Sequence, residues 1–184
     1  MVNPFDIRVI KTAQNIQQSF LTLLEQKEFQ DITVQDILDQ AQINRTTFYK
    51  HYPNKNALAQ QLVDDFKQKV LLPVLQERFS KPTLEFAQTA APIMMAVRQQ
   101  LRPLWKIETP KIHLKQEIYQ IVKQRYIQEM PKEMLDENSD LELQAHLYAS
   151  LLLATMTYAL NTDQPLDPVQ MLKDTQMMFT RAVL

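Results

Sequence analysis

Residues 41–55 read AQINRTTFYKHYPNK, and this stretch decides the fold. Arg45, Lys50, His51 and Lys55 stand around Phe48, Tyr49 and Tyr52, and no acidic residue occurs between Asp39 and Asp64. The segment is basic inside a chain whose formal net charge is -1. Its first half predicts a tight turn, QIN, after a short helix. Asn44 then serves as N-cap of a second helix, RTTFYKHY, which Pro53 ends because the residue before a proline avoids the helical region. Gln42 occupies the place where such a turn ordinarily takes glycine, and the chain contains no glycine at all.

Working outward, residues 7–26 form an amphipathic helix, with Ile10, Ala13, Ile16, Phe20, Leu23 and Leu24 recurring at spacings of three and four. Asp31 or Thr33 can cap a short helix that turns Val34, Ile37, Leu38 and Ala41 inward. Asn54 starts a fourth helix that ends or kinks near Pro73. Beyond Pro82 the chain reads as four to five proline-punctuated helices.

The composition agrees. Zero Gly and ten Pro argue against hairpin-rich β structure, while abundant Leu, Gln, Met, Ala and Lys suit helices. The fold class is therefore all-α with about nine helices. A helix-turn-helix domain occupies residues 1–70, bridged by the fourth helix to a helical domain over 71–184. Without Cys there is neither a disulfide nor a thiolate metal site. The N-terminus shows no secretory signal, and the chain is expected to be cytoplasmic. Residues 143–162 carry no formal charge but include Gln, His, Ser, Thr and Asn, so a helix buried by protein is expected there, with no membrane contact. Charge is segregated, since Glu129–Glu142 holds six acids and one Lys.

Two short helices joined by a tight turn, the second polar and basic, describe a helix-turn-helix. At about 100° per residue, Phe48 and Tyr52 share the buried face, and Thr46 and Lys50 project from the opposite one. Arg45 and Tyr49 line one flank of that ridge, Thr47 and His51 the other. A helix in the major groove divides its work this way, central side chains to base edges and flanking ones to phosphates. Lys55 can hold a further phosphate. The plainer alternative, a solvated helix whose charges keep it soluble, leaves the acid-free Thr46, Thr47, Tyr49 and His51 unexplained.

DITVQDILDQAQINRTTFYKHYPNKNAL resembles the DNA-binding signature of the tetracycline-repressor (TetR/AcrR) family of bacterial regulators over about residues 8–62. ITV at 32–34, TFY at 47–49, His51, the aromatic at 52, Lys55 and Leu58 fall in register. The resemblance implies that Gln35, Arg45, Thr46 and Lys50 face bases, and that Thr33, Thr47, Tyr49, His51 and Lys55 contact phosphates. The departure is Gln42, where the family usually has Gly. A non-Gly residue at positive φ costs on the order of 1 kcal/mol, so a strained or adjusted turn is expected.

The resemblance also implies a C-terminal dimerisation and effector domain, although no motif of comparable specificity lies there; its arrangement is weakly reminiscent of regulators of dihydroxyacetone kinase operons. Helices 143–160 and 168–182, the latter with Val169, Leu172, Met177, Met178 and Phe179, form the expected homodimer surface as a four-helix bundle, or else are intramolecular core. Phe86, Met94, Met95, Arg98, Trp105, His113, Tyr119 and Tyr126 suit an effector pocket, with helices broken around Pro92, Pro103 and Pro110 and Trp105 inside; the same residues could equally fill a core. His51, His113 and His146 are far apart, no Cys nucleophile or Gly-rich loop exists, and His146, with Glu142 one turn earlier, reads as an ion pair or a core histidine and not as a ligand. No enzyme, metal site or cofactor is therefore expected. The expected function is a homodimeric repressor on a palindromic double-stranded operator, released by a small-molecule effector. The alternative is a helical regulator controlled by a protein partner.

Overall fold

Helix α1 (Ile7–Gln26) buries Ile16, Phe20, Leu21, Leu23 and Leu24, the stripe that its periodicity predicts. Ile10, expected on that face, is exposed, because the stripe begins only at the helix's second half. This computed structural model describes residues 7–131, 133, 135–162 and 167–181, without the side chains of Phe179 and Arg181. A 3₁₀ turn (Phe29–Asp31) leads into α2 (Val34–Ala41), then α3 (Arg45–His51) and α4 (Lys55–Phe66).

Three side chains start these helices. Thr33 and Asp36 form a reciprocal capping box at α2, Asn44 accepts from the Thr47 amide at α3, and Asn54 accepts from the Ala57 amide at α4. Each cap is worth about 1 kcal/mol. The α2–α3 turn closes without glycine: Gln42 takes a left-handed conformation, φ 53° and ψ 45°. Its amide donates to the Asp39 carbonyl, and the Ile43 amide donates to the Leu38 carbonyl at 3.1 Å. That is the hydrogen-bond pattern of a Schellman end. Asn15 of α1 adds a bond to the Ala41 carbonyl at 2.7 Å, satisfying another carbonyl at the end of α2.

From Lys55 the chain stays helical to Arg78, passing through a π-helical turn (Lys67–Leu71) into α5 (Leu72–Arg78). Pro73 stands in the first turn of α5, where its missing N–H is least costly. The wider turn before it absorbs the break that a proline imposes. α6 (Thr83–Leu104) runs without interruption through Pro92, and Pro103 falls in its last turn. The helix break expected at Pro92 is therefore absent, since Pro92 removes one backbone donor and leaves the helix continuous, whereas the one expected around Pro103 is present, because α6 ends at Leu104. α7 (Leu114–Glu129), α8 (Leu141–Asn161) and α9 (Pro168–Arg181) complete the described elements. Residue 182, placed in the last expected helix, and the Phe179 side chain lie outside the described residues.

The chain divides into two compact units. The first comprises Met1–Lys67 and Gln100–Leu114, the second Gln68–Gln99 and Lys115–Leu184. The division thus falls at the π turn, and residues 100–114, expected in the C-terminal domain, group with the helix-turn-helix. In that segment Leu101, Leu104, Trp105, Ile107, Ile112 and Leu114 are all buried. Among the described residues no helix is long and apolar enough to cross a membrane, and no strand is formed beyond one isolated bridge between Glu108 and His113.

Candidate functional site

The orientation of α3 is fixed by its aromatic face. Phe48 is 0% and Tyr52 3% exposed; they pack together with ring centroids 5.9 Å apart. Gln17 of α1 donates to the Tyr52 hydroxyl at 3.1 Å, tying the end of α3 to the scaffold helix. With that face buried, Arg45, Thr46, Tyr49 and Lys50 are exposed, and Thr47 and His51 are half-buried at the flanks. The ridge and flanks therefore lie as helical geometry dictates. Tyr49, 46% exposed, is an aromatic held outward with its ring edge-on to Phe48.

The surrounding polar groups are in different states of engagement. Gln35 donates to Asp39 at 2.8 Å and accepts from the Arg45 guanidinium at 3.4 Å, which joins the first turn of α2 to that of α3. The Thr33 hydroxyl donates to Asp36 and the Thr47 hydroxyl to Asn44, so both serve the helix caps. Desolvation lowers the pKa of His51, leaving a neutral imidazole as the ordinary state there.

Lys55 departs most from its expected role as a phosphate contact. Its ammonium donates to the carbonyls of Phe29, Gln30 and Ile32 at 2.8, 3.1 and 2.6 Å and lies 4.7 Å from the Phe29 ring centre. An ammonium has three protons, and all three are directed at carbonyls. Desolvation, the largest influence, lowers its pKa, with Asp31 and Asp36 opposing. In this geometry Lys55 clamps the 3₁₀ turn to α4.

The second unit contains a cavity of about 400 Å³ lined by α5, α6, α8 and α9. Phe86, Met94, Met95 and Arg98 line it. Trp105 and His113 belong to the first unit, where His113 lies 4.0 Å from Glu108. Tyr119 and Tyr126 are in the second unit but not in the cavity wall: Tyr119 meets His146, and Tyr126 donates to Gln144. His146 is exposed and pairs with Tyr119, so it is no core histidine, while Glu142, its partner in the ion-pair reading, binds Lys123 at 2.6 Å. The sequence reading did not single out Arg78 and Tyr148, which also line the cavity; they lie on separate helices with no motif to connect them. Among the described residues no group of three or more His, Asp or Glu could hold a metal.

Residues 21–62 match the family model described as "Bacterial regulatory proteins, tetR family". "Uncharacterized HTH-type transcriptional regulator YxbF" of Bacillus subtilis (strain 168) is 41% identical over 59 residues, which are 32% of this chain and only 16% of that protein. Among solved structures, a TetR transcriptional regulator from Streptococcus agalactiae 2603V matches with a TM-score of 0.63 at 20% identity, covering 94% of this chain and 96% of the other. "Dihydroxyacetone kinase operon activator DhaS" matches with a TM-score of 0.55 at 16% identity, covering 95% and 98%. These two likenesses are of fold. With the match over residues 21–62 and the outward-facing α3, they lead to one conclusion: the chain carries a helix-turn-helix segment similar to that of the tetR family of bacterial regulatory proteins, within a fold like that of TetR regulators.

Proposed function

We propose that the protein is a homodimeric repressor that reads a palindromic operator through α3 and leaves it when a small molecule fills the cavity of the second unit. The observation that carries the DNA reading is the exposed ridge of Thr46 and Lys50, flanked by Arg45 and Tyr49, on a helix whose other face is buried. Arg45, Lys50 and Gln35 have side chains that reach base edges in the major groove; Tyr49, His51, Thr33 and Thr47 stand where phosphates would run.

Dimerisation is supported by exposed apolar side chains on the last two helices. Leu143, Leu147 and Tyr158 of α8 and Val169, Met177 and Met178 of α9 are all more than one-third exposed. Such side chains gathered on a monomer surface mark an interaction site. Two copies of α8 and α9 form a four-helix bundle and bring two reading helices onto one DNA face. A ligand that favours one spacing of those helices lowers DNA affinity by the factor with which DNA lowers ligand affinity.

The test is selection of bound fragments from genomic DNA by the purified protein, followed by footprinting. An inverted repeat with salt-sensitive affinity is expected. Recovery of no preferred sequence would refute operator reading. A promoter fusion then separates repression from activation. If the cavity has no influence on DNA affinity, control by a protein partner becomes the better reading.

A further inference from the structure

The cavity wall has an unusual charge balance. It is lined mostly by carbon, including Val74, Leu75, Ala90, Met94, Leu151 and Met156, yet among the described residues it contains two arginines and no acidic residue. The two arginines differ. Arg98 donates to the carbonyls of Ala159, Leu160 and Thr162, closing the C-terminal end of α8. Among the described residues Arg78 has one hydrogen bond, from Nε to the Tyr148 hydroxyl at 2.7 Å, and is otherwise surrounded by the faces of Phe79, Phe86 and Tyr148 at 5.4–5.5 Å. Its neighbour Glu77 is paired with Lys81. A guanidinium has five N–H donors, so the Nη groups of Arg78 remain for another acceptor.

We propose that the cavity takes an apolar ligand bearing a single carboxylate, with Arg78 and Tyr148 as its headgroup site; this rests on the reading of the cavity as the effector site and assigns its ligand class. The hydrogen-bond directions suit an anion. Because the Tyr148 oxygen accepts from Arg78, its own proton is available to donate, and Arg78 presents Nη donors beside it. A carboxylate can accept both, in the charge-assisted geometry that guanidinium favours. Burial pushes the Tyr148 phenol's pKa up, which keeps that proton in place. One cation with Nη donors to spare matches one negative charge, and a cationic ligand would meet repulsion in a wall whose described residues include no carboxylate. The volume of about 400 Å³ falls within the range of small-molecule sites, about 300 to 1,000 Å³.

The experiment is calorimetric titration of the full chain with octanoate, octan-1-ol and octylamine, which share a tail and differ in headgroup. Octanoate is expected to bind at least about tenfold more tightly than octan-1-ol, the order expected for hydrogen bonds to a charged group, with octylamine weakest. Arg78→Met should bring octanoate down to octan-1-ol while leaving the alcohol's affinity unchanged; Tyr148→Phe should lose part of the preference, and Arg78→Lys should retain part. Equal binding of acid and alcohol by the wild-type protein overturns the headgroup assignment and leaves the cavity as a neutral effector site. A parallel loss of acid and alcohol in Arg78→Met overturns it too, by making Arg78 a structural clamp on its aromatic neighbours. Binding of none of the three overturns both the ligand class and the cavity reading. Arg78-dependent octanoate binding that leaves DNA affinity unchanged upholds the ligand class and refutes only the switch.

Discussion

Replacing Lys55 with Met keeps the apolar stem and removes the ammonium, which separates a structural role from a phosphate contact. Three carbonyls lose their donor. Those of Phe29 and Ile32 are part-buried and that of Gln30 is exposed, so water compensates chiefly at Gln30. A hydrogen bond to a charged group is worth about 1.5 to 3 kcal/mol. Two such bonds, discounted because Lys55 is itself only half-buried, and a cation–π contact of about 0.5 to 1 kcal/mol give a destabilisation of about 2 to 4 kcal/mol. Urea unfolding followed by Trp105 fluorescence measures it, because the only Trp of the chain belongs to the same unit as Lys55. DNA affinity, measured below the shifted transition, should keep its salt slope. A variant within about 0.5 kcal/mol of wild type whose salt slope falls by about one counterion would refute the clamp and restore the phosphate contact.

Gln42→Gly should stabilise the first unit by about 0.5 to 1 kcal/mol in the same assay, since relief of a left-handed penalty of about 1 to 2 kcal/mol exceeds the entropic cost of glycine. Asp36 accepts from the Thr33 amide and hydroxyl and from Lys27; these bonds, the Thr33 amide foremost, hold its carboxyl well below the usual range. Its contribution is thus present above the ordinary aspartate pKa, about 4, and is lost as pH falls below it. Asp36→Asn should make unfolding less steep with pH in that acid range, and an unchanged acid limb would count against the capping box. Leu147→Glu and Met178→Glu should each yield monomers by sedimentation, because an unpaired charge cannot be buried cheaply between subunits. Leu152→Glu acts on the cavity instead, since Leu152 lines it, and should impair ligand binding.

The helix-turn-helix was legible because its signals are local. Asn44 and Asn54 cap the helices they were expected to cap, and the spacing of Phe48 and Tyr52 identifies the buried face. Even the missing glycine led to a testable expectation, met by Gln42 at φ 53°. The carbonyl clamp of Lys55 was not legible because its partners are backbone carbonyls 23 to 26 residues earlier, which no side-chain pattern reveals. The cavity was only partly legible for a related reason. Phe86, Met94, Met95 and Arg98 share one helix, whereas Arg78 and Tyr148 meet from positions 70 residues apart. Trp105 is apolar and buried as expected, but composition does not tell which unit a buried residue joins.

The central claim, that α3 reads DNA sequence, is tested most directly by measuring the affinities of wild type, Arg45→Ala and Lys50→Ala for the selected operator and for every single-base-pair variant of it. Both side chains are exposed, so truncation should not disturb the fold. Each substitution is expected to remove about 1 to 3 kcal/mol of discrimination at one or two base pairs in each half-site, while preferences elsewhere persist. Loss of affinity by the same factor for every sequence, with the base preferences of the wild type intact, would show that these residues contact only the backbone and would contradict the account.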